Sequence, residues 1–222
     1  MRQLILDLRP DAPPTLDNYL AAANWEALQC LRAVAAGRAP DAVIYLWGPA
    51  GSGKTHLLQA TVAACLGQGR RADYVAAGQA LPAALPALLA VDDVQALEVP
   101  NQIDLFNAIN QAREGGGVVL AAGDAPPGRL TLRPDLTTRL AWGLVYALSP
   151  LGDADKLMAL TERAQARGMT LPAEVARYLL THCRRDLPHL LALVDALDAY
   201  SLSHRRPVTV TLLKTMLQGG EA

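Results

Sequence analysis

Residues 42–55 constrain the fold more than any other stretch of this chain. They read AVIYLWGPAGSGKT, in which a run of apolar and β-favouring residues precedes a glycine-rich turn and then Lys54 and Thr55. The spacing G-x-x-x-x-G-K-[ST] predicts a buried strand, a phosphate-binding loop and the first turn of a helix. The alternative is a glycine-rich turn between a strand and a helix that carries one exposed lysine.

The chemistry of phosphate explains the residue types in this loop. Glycines at 48, 51 and 53 adopt backbone angles closed to other residues, so that successive N–H groups turn inward toward an anion. The following helix adds the positive end of its dipole. Lys54 reaches the β- and γ-phosphates and the Thr55 hydroxyl binds Mg²⁺, so the expected ligand is ADP or ATP with Mg²⁺. The predicted nucleotide-binding residues of the loop are Pro49, Ala50, Gly51, Ser52, Gly53, Lys54, Thr55 and His56.

Carboxylates follow two further predicted strands. Residues 88–94 read LLAVDDV, in which four apolar residues precede Asp92 and Asp93. Ligands of open α/β sheets bind at the carboxyl ends of the strands. Asp92 is therefore predicted to hold Mg²⁺, partly through water, and Asp93 to orient or deprotonate the attacking water. Asp124 follows another predicted strand, where it either reaches the γ-phosphate region or only forms the turn.

The remaining pattern divides the chain into a part with strands and a part without them. Before Pro150, about five strands alternate with helices, which predicts a three-layer parallel α/β core. One of these helices starts at Asn24, a candidate N-cap, and Trp25 begins its core-facing stripe. After Pro150, three or four helices follow without strands. We expect an N-terminal peptide and tether over 1–14, an α/β nucleotide-binding domain over 15–149 and a helical domain over 150–222.

Composition excludes several classes of function. The net charge of −1 gives no global basic field for non-specific DNA binding, and an aromatic content of 5% argues against a base-stacking surface. The apolar stretches are too short, or too broken by Pro and Gly, to span a membrane. The first ten residues lack the layout of a signal peptide. A cytoplasmic location is therefore expected, with no membrane partner.

The N-terminal residues 2–8 read RQLILDL, in which leucines alternate after Gln3. By themselves they allow a frayed edge strand or an arm packed on the domain. They also allow a short extended peptide whose leucines enter an apolar groove of a partner. A stretch containing Pro and Asp follows and predicts a stiff tether.

Together these motifs resemble those of the AAA+ ATPases, and more closely those of the DnaA family of replication initiators. The resemblance is carried by TLDNYL, GPAGSGKTHLLQA, LLAVDDVQ, LTTRLAWGL and the RDL of the helical part. Within this family, RQLILDL, GDAPPGRL and PDLTTRLAWGLVYAL are most similar to the Hda regulators, which inactivate the initiator. The resemblance covers nearly the whole chain. It implies an AAA+ P-loop domain with a three-layer parallel sheet and a small C-terminal all-α lid.

The resemblance also implies roles for particular residues. Asp93 takes the place of the catalytic carboxylate, Asp124 that of sensor 1 and Arg185 that of the sensor 2 arginine. Arg139 takes the place of the arginine finger, which would act in trans on ATP held by a neighbouring DnaA. Such fingers contribute about 10³–10⁵ in rate. The N-terminal peptide resembles the clamp-binding peptide of the Hda regulators, and its residues are Gln3, Leu4, Leu6 and Leu8.

The function implied is negative regulation of chromosomal replication initiation, with ADP as the ligand that the family suggests. The implied partners are DnaA and the sliding clamp, the β subunit of DNA polymerase III, with DNA reached through the clamp; a homo-oligomer is also allowed. Residues 77–87 are too short for the helical insertion of DnaA, and little sequence follows the predicted lid, where DnaA carries its helix-turn-helix domain. We therefore expect an activator of DnaA rather than an initiator or a fast ATPase.

Two other functions stay open at this point. One is a self-contained AAA+ ATPase or helicase loader of the DnaA/DnaC type, which the complete P-loop and Asp93 permit. The other is a DnaA-related scaffold whose nucleotide is only structural.

Overall fold

The computed structural model describes residues 13–184 and 186–219. The described chain divides into two compact units, one spanning Pro14–Pro150 and one beginning at Leu151. The first unit contains a parallel sheet between helices, and the second is helical without strands in its described part. The predicted fold class is therefore confirmed.

The first unit is built on five strands that are all parallel. They are β1 (Val43–Trp47), β2 (Ala72–Val75), β3 (Leu88–Val91), β4 (Val118–Gly123) and β5 (Leu144–Ala147). Their order in the sheet is β2-β3-β4-β1-β5, which places β1 between β4 and β5. The central strands are almost wholly buried, as expected for a parallel sheet covered on both faces.

Helices cover both faces of this sheet. Helices α1 (Trp25–Ala35) and α2 (Lys54–Gly67) pack on one face, and α3 (Val99–Gly115) and α4 (Pro134–Leu140) pack on the other. Side chains of β1 alternate between the two cores, because successive residues of a strand point to opposite faces. No helix forms over residues 76–87, between β2 and β3.

The start of α1 differs from the expectation in two ways. Asn24 occupies the N-cap position, as predicted, but its side chain makes no capping bond; its buried amide instead donates to the Tyr19 hydroxyl (2.7 Å) and to the Ser149 carbonyl (2.8 Å). The Asn24 Oδ1 atom accepts the Ser149 N–H at 2.9 Å. A buried amide requires such partners, so tertiary bonds determine its position. Trp25 is 58% exposed, although the rest of its predicted stripe is buried.

The second unit contains four helices in its described part: α5 (Asp153–Ala166), α6 (Ala173–His182), α7 (Leu187–His204) and α8 (Val210–Gly219). They enclose an apolar core of their own. Over residues 13–184 and 186–219, every helix is too short or too polar to cross the apolar interior of a bilayer.

Paired charges link α5 to α7. Arg163 donates to both oxygens of Asp195, at 2.8 and 2.6 Å. Arg167 donates to Asp198 at 2.9 Å and lies 3.3 Å from Asp195. Both carboxylates are 9% exposed, so their guanidinium partners compensate charges that would otherwise be costly to bury.

The place of β5 beside β1 depends on Gly143. A Cβ atom on Gly143 would overlap the carbonyl oxygen of Val43 and lie 2.6 Å from the Val43 carbonyl carbon. These are backbone atoms of the central strand and cannot turn away as a side chain can. We predict that Gly143→Ala lowers the free energy of unfolding by about 3 kcal/mol, measured by urea denaturation.

The matched control is Gly128→Ala, because a Cβ there meets nothing within 4 Å. Its expected change is within about 0.5 kcal/mol. Equal stability of the two variants would contradict the proposed close approach of β5 to β1.

Candidate nucleotide-binding site

The P-loop connects β1 to α2 at the edge of the sheet where the strands end, here called the carboxyl edge. Gly51 and Gly53 have φ angles of 79° and 89°, in the left-handed region that favours glycine. The Lys54 ammonium donates to the carbonyls of Gly48 (2.7 Å) and Pro49 (3.1 Å). The cation therefore lies within the curve of the loop.

The loop carries the donors that a phosphate group needs. Its hydroxyl at Ser52 is buried and has no hydrogen-bond partner among residues 13–184 and 186–219. Within the same ranges, six backbone N–H groups of the loop and first helical turn lack an intramolecular acceptor: Ala50, Gly51, Gly53, Lys54, Thr55 and His56. Unpaired donors at a helix N-terminus favour an anionic ligand. The chemistry of these donors therefore fits the phosphates of a nucleotide.

Residues 15–19 lie against the P-loop, the position in which the segment TLDNYL would pass near the base of a bound nucleotide. The Tyr19 hydroxyl donates to the Ser52 carbonyl at 3.1 Å, and its ring centroid lies 5.6 Å from that of His56. The His56 ring is also 3.0 Å from the Thr15 carbonyl. Burial lowers the pKa of His56, so the imidazole is neutral at pH 7. The Tyr19 and His56 rings beside the loop are therefore both uncharged at pH 7.

Asp92 follows β3 and is 3% exposed. Its carboxylate accepts the Tyr74 hydroxyl at 2.9 Å and the Asp93 N–H at 3.0 Å. Burial, and next the charge of Asp92, raise the pKa of Tyr74 to about 12. Tyr74 is therefore a hydrogen-bond donor at neutral pH.

Asp93 has a left-handed backbone, with φ 47° and ψ 51°. This conformation is uncommon for residues other than glycine, because Cβ crowds the backbone. The Gln95 amide donates to the Asp93 carboxylate at 3.1 Å. Left-handed residues of this kind cluster at functional sites.

Asp124 directly follows β4 and is exposed. The adjacent turn is held by the Tyr45 hydroxyl, which donates to the Ala125 carbonyl at 2.8 Å. Burial and the charge of Asp124 raise the pKa of Tyr45. An exposed carboxylate at the end of a strand is compatible with a role in the turn and with contact to the γ-phosphate region, the two roles that the sequence allows for Asp124.

The strand register brings most of the predicted site residues to one edge. Trp47 pairs with Gly123 in the neighbouring strand, and Val91 pairs with Ala121. Because the strands are parallel, the segments that follow them emerge at the same carboxyl edge. The predicted residues that meet there are the P-loop set from Pro49 to His56, Asp92, Asp93 and Asp124.

Arg139 lies elsewhere, in what we call the arginine–tryptophan cluster, formed by Arg113, Arg139 and Trp142. The guanidinium carbon of Arg139 is 3.6 Å from the centroid of the Trp142 ring, and that of Arg113 is 4.7 Å from it. Phe106 lies 5.2 Å from the Arg139 guanidinium. In the described part of the chain, neither arginine forms an ion pair. The contacts of Arg139 with Trp142 and Phe106 were not predicted from the sequence.

The cluster lies toward the opposite edge of the sheet from the P-loop. Trp142 precedes Gly143, which lies beside Val43 at the start of β1. The P-loop begins at Gly48, after β1 ends. Five residues of extended strand separate these levels by about 16 Å.

The remaining predicted site residues lie outside the described part of the chain. These are Arg185 and the N-terminal residues Gln3, Leu4, Leu6 and Leu8. Next to Arg185, Asp186 caps α7 by accepting the His189 N–H at 3.1 Å, and Arg184 donates to its carboxylate at 3.1 Å.

Comparisons with known proteins agree with this architecture. Residues 153–217 match the family model described as "Hda, lid domain". The chain is similar to domain III of the Thermotoga maritima replication initiation protein DnaA, with a TM-score of 0.72, 22% identity, and coverage of 96% of this chain and 98% of that chain. It is also similar to AMPPCP-bound DnaA from Aquifex aeolicus, with a TM-score of 0.69, 22% identity, and coverage of 88% and 68%. A RuvB variant from Thermotoga maritima matches with a TM-score of 0.67, 14% identity, and coverage of 93% and 72%.

The fold matches that of the AAA+ domains of DnaA and RuvB, with a P-loop after the central strand, a parallel sheet of order 2-3-4-1-5 and a separate helical unit. The helical unit matches the lid of the Hda family over almost all of its described residues. The chain is therefore similar to the Hda and DnaA proteins, in its helical unit by the family model and in its overall fold by the solved structures.

Removal of the Tyr74 hydroxyl tests its bond to the buried Asp92. Tyr74→Phe leaves one carboxylate oxygen without its donor, and hydrogen bonds to charged groups contribute about 1.5–3 kcal/mol. We predict a loss of about 2 kcal/mol in the free energy of unfolding at pH 7, from urea denaturation without nucleotide. Tyr178→Phe is the control, since within the described residues the Tyr178 hydroxyl has no hydrogen-bond partner. An equal effect of both substitutions would rule out a special contribution from Tyr74.

The left-handed backbone of Asp93 predicts an order of stability between two variants. Asp93→Ala and Asp93→Gly both remove the carboxylate, but alanine retains the Cβ that crowds the backbone. We expect the glycine variant to be more stable by about 1 kcal/mol, as measured by chemical denaturation. If alanine is equally stable or more stable, the backbone at this position is not left-handed in solution.

Proposed function

We propose that the P-loop binds ADP or ATP with Mg²⁺. The unpaired N–H groups of the loop and the Lys54 ammonium would bind the phosphates. Thr55 and Asp92 would hold Mg²⁺, which supplies charge neutralisation at the phosphates. The similar DnaA of Aquifex aeolicus is AMPPCP-bound, which supports a nucleotide at this position.

The side chains after the strands would then act on that nucleotide. Asp93 would orient or deprotonate water, and Asp124 would contact the γ-phosphate region as sensor 1. Arg185 would contribute from the lid as sensor 2. These roles follow the carboxyl-edge arrangement and the family resemblance.

The observation that carries the functional proposal is the position of Arg139. Its guanidinium stacks on Trp142, whose backbone lies about 16 Å along the strands from the level of the P-loop, and it has no carboxylate partner among the described residues. A cation so placed is far from the nucleotide of its own chain. It could instead contact the phosphates of a nucleotide that is bound by a neighbouring protein.

The chain is therefore a regulator of replication initiation that docks on ATP-bound DnaA and stimulates its ATP hydrolysis through Arg139. Gln3, Leu4, Leu6 and Leu8 attach the regulator to the DNA-loaded sliding clamp, so that inactivation follows clamp loading. Its place of action is the cytoplasm, at the nucleoid. The match of the lid to the Hda family supports this reading over an initiator or a helicase loader.

The test is ATP hydrolysis by purified ATP–DnaA with clamp loaded on DNA, with and without this protein. The wild-type chain is expected to stimulate hydrolysis strongly. Arg139→Ala should remove most of this stimulation, because an arginine finger in trans contributes about 10³–10⁵ in rate. Its nucleotide affinity should not change, since Arg139 does not face the chain's own P-loop.

Two controls separate the roles. Arg129→Ala removes another exposed arginine and should leave stimulation intact. Lys54→Ala should instead lower the affinity of this chain for nucleotide, measured by calorimetry. Absence of stimulation by the wild-type chain would refute the regulator function. Hydrolysis by the chain alone, lost in Arg139→Ala at high protein concentration, would favour a self-contained ATPase.

A further inference from the structure

Helix α3 exposes apolar side chains next to the arginine–tryptophan cluster. Val99 is 58% exposed and Ile103 is 40% exposed, while Phe106 is half-buried. With Arg113 these positions follow spacings of four, three and seven residues, so they share one side of the helix. We call this side, formed by Val99, Ile103, Phe106 and Arg113, the α3 face. It extends for about 21 Å.

The α3 face is not required by the core of its own domain. The sheet-facing side of α3 is formed by Leu105, Ile109 and Ala112, which are all buried. Val99 and Ile103 lie beside that buried side and retain much of their area in water. Exposed apolar side chains arranged in a row are typical of protein-binding surfaces.

The α3 face and Arg139 form a continuous surface. Phe106 belongs to the α3 face and lies 5.2 Å from the Arg139 guanidinium. Arg113 lies on the same Trp142 ring as Arg139, and Trp142 is 47% exposed. Tryptophan and arginine are the residues most enriched among interface hot spots.

Charge indicates the kind of partner that this surface fits. Both guanidinium groups in the cluster lack ion-pair partners within the described ranges. An anionic group of a bound partner would form the ion pairs that these two arginines do not form within the described residues. A partner that presents a phosphate chain with apolar side chains beside it would contact both the arginines and the apolar side chains of the α3 face.

We infer that the α3 face is the docking surface for the ATP-bearing AAA+ partner whose nucleotide Arg139 serves. This inference rests on the proposed function. Val99, Ile103 and Phe106 provide the apolar contact, and Trp142 positions Arg139 by stacking on its guanidinium. Arg113, on the same ring, provides a second cation for the partner's anionic group. The α3 face is thus responsible for docking, and Arg139 on the same surface is responsible for stimulation.

The experiment compares Ile103→Asp with Leu66→Asp, which places the same charge at an apolar residue of α2 that is 54% exposed. Binding to ATP–DnaA is measured by biolayer interferometry, and stimulated hydrolysis is measured over a range of regulator concentrations. Ile103→Asp should raise the half-saturating concentration on the order of tenfold or more, with the maximal rate kept. Leu66→Asp should match the wild type in both quantities. Circular dichroism is used to check that both variants are folded.

The outcomes separate this inference from the proposed function. Stimulation by the wild type with no effect of Ile103→Asp overturns the docking surface and leaves the regulator function standing. Binding by the wild type without stimulation, lost in Ile103→Asp, supports the surface and refutes the function of Arg139. If Ile103→Asp instead dissociates a dimer of this chain in sedimentation and leaves DnaA binding unchanged, the surface serves a second copy and the inference is wrong.

Discussion

The pairing of β1 with β4 and β5 is the constraint on which both functional regions depend. Because all three strands run the same way, the segments after them meet at the carboxyl edge, where the phosphate loop and Asp124 emerge. The same pairing places the residues just before β5 at the level where β1 begins. Gly143 permits this approach, and Trp142 and Arg139 precede it in the chain. The same backbone hydrogen bonds therefore place the P-loop and Arg139 at opposite ends of the strands.

Hydrogen bonds from distant elements fix the carboxyl edge. Asn24 joins Tyr19 to Ser149, and Tyr74 reaches Asp92. Buried polar groups that are fully paired hold their positions firmly. Over the described residues, three buried side-chain atoms lack a partner, and two of them belong to this edge: Ser52 Oγ in the P-loop and Gln95 Oε1 beside Asp93. The unpaired polar atoms thus concentrate where a ligand and its water would supply the missing bonds.

Much of this structure could be predicted from local motifs, whereas the contacts between distant segments could not. The P-loop sequence specifies its own strand, turn and helix, and the apolar runs of β3 and β4 identify buried strands. The bond from Tyr74 to Asp92 depends on β2 lying beside β3, which no local pattern records. The contact of Trp142 with Arg113 of α3 was not predictable either, because it joins segments that are distant in the sequence. Asn24 shows the limit most clearly, because a residue suited to a helix cap is used in a tertiary bridge.

The left-handed backbone at Asp93 limits which amino acids natural selection can place there. A role that orients or deprotonates water calls for a carboxylate, which leaves aspartate or glutamate. The backbone favours glycine and, among residues with a side chain, asparagine, aspartate and histidine. Aspartate alone belongs to both sets. An aspartate at this position therefore suits the backbone conformation as well as the proposed role, whereas a glutamate would adopt the left-handed conformation less readily.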